Sequence, residues 1–250
     1  MIAVVSNDYH VPFCDKGCVD LACRLVEELK PDLNIIAGDF FDTYPISRFD
    51  KRPFSHRTLD DEVDKGAPIL ERQSKAAVKT VMLGGNHEFR IVKWIYKFEG
   101  VFSLLGHAAE DAVKKLSPEK IFKLARHGVA WKDYGQGVNL GDLHVTHGES
   151  CGTNTSQANI RKYRTSILTG HNHRRELKCH ASHAGQIESW TNGCLCALNP
   201  EYGTGVPDWQ HALAVVMYNK NGTFTVHQLP VQRERSGKPY VMFGRDRISA

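Results

Sequence analysis

Five short polar segments, each set just after an apolar run, constrain this chain more than any other feature. They are Asp8-Tyr9-His10, Gly38-Asp39-Phe40-Phe41-Asp42, Gly85-Asn86-His87-Glu88, His147-Gly148 and Gly170-His171-Asn172-His173. Four follow their runs directly, and the first follows IAVV after only Ser6 and Asn7. Short apolar runs of this kind read as buried strands. The polar segments therefore fall at strand ends, where open α/β sheets place their chemistry. A fold that gathers those ends brings residues far apart in the chain to one place.

Strand, helix, strand over residues 2–5, 21–30 and 33–37 is the βαβ pattern, and another strand is expected at 78–83. Residues 43–60 read as a long surface excursion. Residues 61–77 read as a helix that Pro68 interrupts or that starts late. Further helices are expected at 90–99, at 117–128 between a Ser117 cap and a Gly128 stop, and at 155–164. Closely spaced strands are expected over 138–148, then at 166–170, 174–180, 186–191, 211–218 and 223–229, with NKNG at 219–222 turning the last pair. The polar, basic tail from 232 is expected to lie along the surface. No repeat or low-complexity linker divides the 250 residues. A single domain over 1–250 is expected, its βα-rich first half and β-rich second half supplying the two sheets of one sandwich.

On an extended segment residues i and i+2 point the same way, so Asp8 and His10 can grip one ion, and His171 with His173 can do the same. Glycines beside Asp39, Asn86, His147 and His171 permit sharp turns there. Mixed Asp, His and Asn donors suit hard to borderline divalent ions such as Mn²⁺, Fe²⁺, Ni²⁺, Zn²⁺ or Mg²⁺ over copper(I) or an iron–sulfur cluster. Any one segment alone is as readily a cap, a turn or a surface histidine. Five together are not.

The order D-x-H, G-D-x-x-D, G-N-H-[DE], a His before Gly, and G-H-x-H over residues 8–173 resembles the calcineurin-like metallophosphoesterases. That resemblance implies an α/β fold, a four-layer αββα sandwich of two mixed sheets flanked by helices. It also implies two divalent ions, manganese being the expected pair in vitro with Fe, Zn, Ni or Mg as alternatives. Asp8, His10, Asp39 and His173 would hold the first, and Asp39 would bridge to a second held by Asn86, His147 and His171. His87 would face the substrate and stabilise or protonate the departing oxygen. The activity implied is phosphoester hydrolysis by a metal-bridging hydroxide, with phosphodiesters ahead of phosphomonoesters. A nuclease or end-processing phosphatase, and a non-catalytic metal-binding module, are the other readings. Residues 191–218 resemble, more weakly, small phage or bacterial members of the family.

Around this set, Asp42 is expected either to orient a ligand histidine from behind or to cap its loop. Arg90 and Arg174 are placed with Asn86 as phosphate-binding candidates, although Arg90 could instead pair with Glu88 or another acid. Tyr9 and Phe40 face the core or the substrate rim. The loop 43–60, with Arg48, Lys51, Arg52, His56 and Arg57, either covers the cleft or stands exposed. Arg161, Lys162, Arg164, Arg174, Arg175 and Lys178 would attract a nucleic acid or form a solvated face. The formal charge of +4, from 32 basic and 28 acidic residues, permits an anionic partner without requiring one. The seven cysteines are expected to be free and reduced, and Cys179, His180 and His183 lack a fourth zinc ligand. MIAVVSNDYH is not a secretory signal and no apolar stretch is long enough to cross a bilayer. The expected setting is therefore cytoplasmic, a host's cytoplasm if phage-encoded, with no membrane partner. Nothing in the pattern specifies an oligomeric state.

Overall fold

Alternating side chains on the first strands split the core into two layers, and that split sets the architecture. The computed structural model describes residues 1–48, 50–51, 57–199 and 207–250. Arg52 and His56 of the expected excursion, and residues 200–206 of the segment 191–218, lie outside the described residues. The first part of the chain runs through β1 (Ile2–Ser6), α1 (Lys16–Leu29), β2 (Leu33–Ala37), α2 (Leu59–Ala76) and β3 (Thr80–Leu83). Four helices follow, α3 (Phe89–Lys97), α4 (Glu99–Leu105), α5 (His107–Lys115) and α6 (Pro118–Ile121). Next come β4 (Val129–Lys132), β5 (Gly137–Leu140), β6 (Leu143–Thr146), α7 (Thr155–Tyr163) and β7 (Ser166–Thr169). The remaining strands are β8 (Glu176–Ser182), β9 (Gly185–Thr191), β10 (Ala212–Tyr218), β11 (Phe224–Pro230), β12 (Gln232–Arg233), β13 (Pro239–Phe243) and β14 (Asp246–Ser249).

One sheet has the order β11-β10-β1-β2-β3-β4 and the other β5-β6-β7-β9-β8. Strands β1 to β4 are mutually parallel, as are β6, β7 and β9. Val4, Ile36 and Met82 turn one way, into a core shared with α1 and α2. Their neighbours Ala3, Val5, Ile35, Ala37, Val81 and Leu83 turn the other way and pack against Leu143, Val145, Leu168 and Trp190 of the second sheet. This is the period-2 pattern of strands buried on both faces. Helix α7 covers the far side of the second sheet, where Ser156 donates to Glu176 at the start of β8. The layers are therefore α, β, β, α, as the resemblance implies.

Several local expectations change. The two halves of the chain do not supply one sheet each, because β10 and β11 return to pair with β1. Helix α1 begins at Lys16 rather than 21, since the Asp15 carboxylate caps the Cys18 amide. Helix α2 is continuous through Pro68. A reciprocal Thr58–Asp61 capping box starts it, and Pro68 and Asp64, whose carbonyl loses its partner, are both exposed. The helix expected over 117–128 instead breaks at Lys123, which has a φ of 53°, into α6 and a 3-10 turn at Leu124–His127. Strand β4 and helices α4 and α5 were not expected. The tail is more than a surface strip, for it forms a small sheet whose buried Val241 and Ile248 pack in the core beside α1.

Within the excursion, Thr43 and Tyr44 are buried and fastened to α2. The buried Glu62 carboxylate accepts the Thr43 amide at 2.7 Å and the Tyr44 amide at 2.8 Å. Burial nevertheless pushes its pKa up, from 4.5 to about 8. The folded chain then holds more protons than the unfolded one between those values, so stability should fall as pH rises through them, by up to about 5 kcal/mol. Glu62→Gln is expected to flatten that slope in denaturant titrations from about pH 5 to about pH 8. An unchanged slope would mean that the amide donors keep Glu62 ionised throughout.

Candidate metal centre

The five polar segments meet at one rim, built by the carboxyl ends of β1, β2 and β3 in one sheet and of β6 and β7 in the other. Five of the residues that deliver side chains there have left-handed backbones: Asp8 and His10 at φ 52°, Asp39 at 49°, His171 at 71° and His173 at 57°. Such conformations are uncommon for residues other than glycine and concentrate where function demands a particular direction. Asp8 and His10 thus share a direction through left-handed kinks, not through the regular extension expected from their spacing. Tyr9 between them points into the core, its hydroxyl donating to Ser6 Oγ at 2.7 Å and accepting from Gln73. Phe40 is likewise fully buried.

Asp39 stands at the middle. Its Oδ2 lies 3.4 Å from His147 Nε2, 3.8 Å from His87 Nε2 and 3.9 Å from His10 Nε2, while Oδ1 accepts the His87 amide at 2.9 Å. Asn86 Oδ1 is 3.1 Å from His147 Nε2, and His171 joins Asp39 and His147 in a cluster with donor atoms within 4.8 Å of one another. On the other side, Asp8 Oδ1 is 3.2 Å from His173 Nε2, which is itself 3.2 Å from His10 Nε2. Gly85 is needed here for space and not for a turn. A Cβ on it would fall 2.1 Å from Asp39 Oδ1, and one on Gly38, whose φ is 88°, would fall 2.4 Å from His147 Nδ1.

The outward nitrogens are held from behind. His10 Nδ1 bonds Asp42 Oδ1 at 2.9 Å and His147 Nδ1 donates to the Ala37 carbonyl at 2.9 Å, so each turns Nε2 toward the cluster. Asp42 stands behind the His10 ring, and its Oδ1 also lies 3.1 Å from His87 Nδ1. Removing a partner of this kind typically costs ten- to a hundredfold in metal affinity or activity. Asp42→Ala is accordingly expected to weaken manganese binding by roughly that factor in calorimetric titration. Affinity within twofold of the parent would reduce Asp42 to a loop brace.

Burial acts to lower the His10 pKa and to raise that of Asp39, yet the opposite charges win at both. Asp42, Asp8 and Asp39 hold the His10 imidazole well above its usual value, and His147 is pushed up to about 9 against burial by Asp39 and Asp8. Asp8 and Asp39 are held below the carboxylate range against the same burial, chiefly by His173 at Asp8 and by His147 at Asp39. The carboxylates thus demand positive charge, which protons supply in part. Asp8 Oδ1 is buried and accepts no hydrogen bond among the described residues. An orphaned carboxylate oxygen facing two converging imidazole nitrogens is the donor set of a divalent ion, and the residues present fit one.

His87 sits beside this set. Its Nδ1 donates to the Asp42 carbonyl at 2.8 Å, and its Nε2 faces Arg90 Nη2 at 2.9 Å. Burial lowers its pKa, consistent with a neutral ring accepting from the guanidinium. Arg90 also donates to the Asp42 carbonyl at 2.6 Å, so it points into the site and makes no pair with Glu88. Arg174 holds Asp208 and the carbonyls of Cys151 and Gly152. In the basic segment Lys162 is paired with Glu149.

The role of Glu88 was not legible in the motif. It is fully buried and accepts the amides of Asp39, Phe41 and Gly85 at 2.9–3.1 Å, clamping the second polar segment to the third. Burial raises its pKa to about 7 even so. Asn7 was also missed. It donates to the Asp8 carboxylate and to the Gly193 carbonyl, and it accepts from Asn192 at 3.0 Å. Trp209 meets the His173 ring edge-on at 4.3 Å, and Cys196 Sγ lies 3.7 Å from His173 Nδ1. All seven cysteines are free, and the exposed Cys179 joins no metal-binding cluster among the described residues. Among the described residues no helix is long and apolar enough to cross a membrane.

A sequence model of the family described as calcineurin-like phosphoesterase matches residues 1–198. No curated protein matches the chain. Among solved structures, Vps29 from Chaetomium thermophilum aligns over 99% of this chain and 95% of its own, at 9% identity and a TM-score of 0.52. A dimetal phosphatase from Danio rerio aligns over 91% and 95%, at 11% identity and a TM-score of 0.45. At 9% identity the likeness to Vps29 speaks to the fold alone.

Proposed function

This chain belongs to the calcineurin-like phosphoesterase family, and from that premise we propose that it is a dinuclear metal-dependent hydrolase acting on phosphodiesters. Asp8, His10, Asp39 and His173 would hold one divalent ion, and Asp39, Asn86, His147 and His171 the other. The observation that carries this reading is the placement of Asp39 Oδ2 between the two histidine groups, with the orphaned Asp8 Oδ1 beside it. Bound ions would supply charge to the phosphoryl oxygens and acidify water.

The chain's own residues do the rest. Asp42 fixes the ring planes of His10 and His87 through a single carboxylate oxygen. The Asp42 carbonyl holds one proton on His87 Nδ1 and leaves Nε2 facing the site. Once a phosphate draws Arg90 away, Nε2 would take a second proton from solvent and pass it to the leaving oxygen, returning the ring to its neutral form. Arg90, already against Nε2, supplies a guanidinium that a phosphate oxygen can take over. Arg174 is balanced by Asp208, so of the two arginines expected at the phosphate Arg90 is the one left to meet it, and its single charge suits the single negative charge of a diester.

The test is metal-stripped protein reloaded with manganese and assayed on bis-p-nitrophenyl phosphate and p-nitrophenyl phosphate. Diester turnover that follows metal content supports the proposal. Turnover confined to the monoester would replace it with a phosphatase, and no bound metal would remove it.

A further inference from the structure

Strand β4 runs parallel to β3, with Leu83 opposite Lys132 and the Gly84 amide donating to the Lys132 carbonyl at 2.7 Å. Its carboxyl end therefore opens on the same rim as Gly85 and Asn86, and it delivers Asp133 and Tyr134 there. A cleft of about 270 Å³ lies at this point, lined by Gly84, Phe89, Tyr96, Trp131, Asp133 and Tyr134 among others. The Tyr134 and Phe89 rings stack at 5.1 Å and 30°, and the Tyr134 ring is 6.2 Å from that of His147. Gly84 forms a bare backbone floor, where a Cβ would meet the Tyr134 amide at 2.8 Å and the Trp131 ring at 3.0 Å.

We propose that this cleft is a nucleobase subsite, so that the phosphoester cut at the adjoining centre is that of a nucleotide. The inference rests on the phosphoester reading above and deepens it. Four aromatic rings from two separate segments give a planar heterocycle flat faces to stack on. The polar groups stand at the edge, where a base carries its own. Asp133 is exposed, its Oδ1 held by Trp131 Nε1 at 2.9 Å, while its other oxygen takes no hydrogen bond among the described residues and can accept from an exocyclic amine. An acyl chain would leave those edge groups unanswered. A ribose spans the gap between the aromatic wall and the His147 side of the centre.

The experiment compares adenosine 5′-monophosphate with ribose 5-phosphate on the manganese-loaded full chain by titration calorimetry. Both ligands offer the same phosphate and sugar, so the ratio of their affinities isolates the base. The nucleotide is expected to bind roughly tenfold or more tightly, on the scale of base stacking, and to quench tryptophan fluorescence where ribose 5-phosphate does not. Tyr134→Ala should bring the ratio toward one, and Trp131→Phe, which keeps an aromatic ring in the fold, should remove the quenching. A ratio near one in the parent protein, or one unchanged by Tyr134→Ala, overturns the subsite. If bis-p-nitrophenyl phosphate is still hydrolysed in that case, only the subsite has failed. A high ratio without any ester turnover would instead retain the nucleotide site and remove the hydrolase.

Discussion

Asp39→Asn is expected to lower phosphoester turnover by roughly 10³-fold or more and to reduce bound manganese from two ions per chain to one or fewer. The side chain keeps its size, and the backbone bond from the Asp39 amide to Glu88 is untouched, so the fold should persist. What is lost is charge. Asp39 Oδ2 is the carboxylate oxygen within 4 Å of His147, His10 and His87 alike. A neutral amide there cannot serve two cations at once. Metal content by mass spectrometry, read beside the melting curve, checks this. A variant that retained two ions and half its activity would end the bridging role.

His87→Ala is expected to slow turnover by roughly 10²- to 10⁴-fold, the range of a positioned proton donor or acceptor, while both ions stay bound. His87 also lies close enough to His10 and Asp39 to share an ion, and the bonds it already makes are what assign it another place. His87 turns Nδ1 to the Asp42 carbonyl and Nε2 to Arg90, and its ring stands edge-on to His10 at 4.4 Å beside the Nε2 cluster. Leaving-group chemistry sharpens the test. p-Nitrophenolate departs without a proton, so the loss should be larger for an alkyl diester than for an aryl one. An equal loss on both esters would mean that His87 holds Arg90 or the loop in place and does not serve the departing oxygen. Loss of metal in the same variant would make it a ligand, contrary to its assigned place.

The candidate site was legible because each proposed ligand lies within five residues of an apolar run that is itself recognisable, and because metal chemistry admits few residue types. The helices and strands framing it were found for the same local reason. The errors share one origin as well. Asp8 and His10 are left-handed and not extended, a state imposed by bonds from the Asp8 and His10 amides to the carbonyls of Gly38 and Asp39 on the next segment. Glu88 entered the sequence reading as a possible partner of Arg90, and it is the convergence of three amides, two of them from the distant second segment, that makes it a clamp.

What the sequence determined by itself was the candidate ligand set, its order and the strand ends that carry it, since these depend on side-chain chemistry and periodicity over a few residues. The tertiary structure decided which strands pair, sending β10 and β11 back to β1 and adding β4 beside β3. It also decided that Phe89 and Tyr96 should face Trp131 and Tyr134 across one cleft. Those outcomes rest on burial and hydrogen bonding summed over the whole chain, and no window of residues contains that sum.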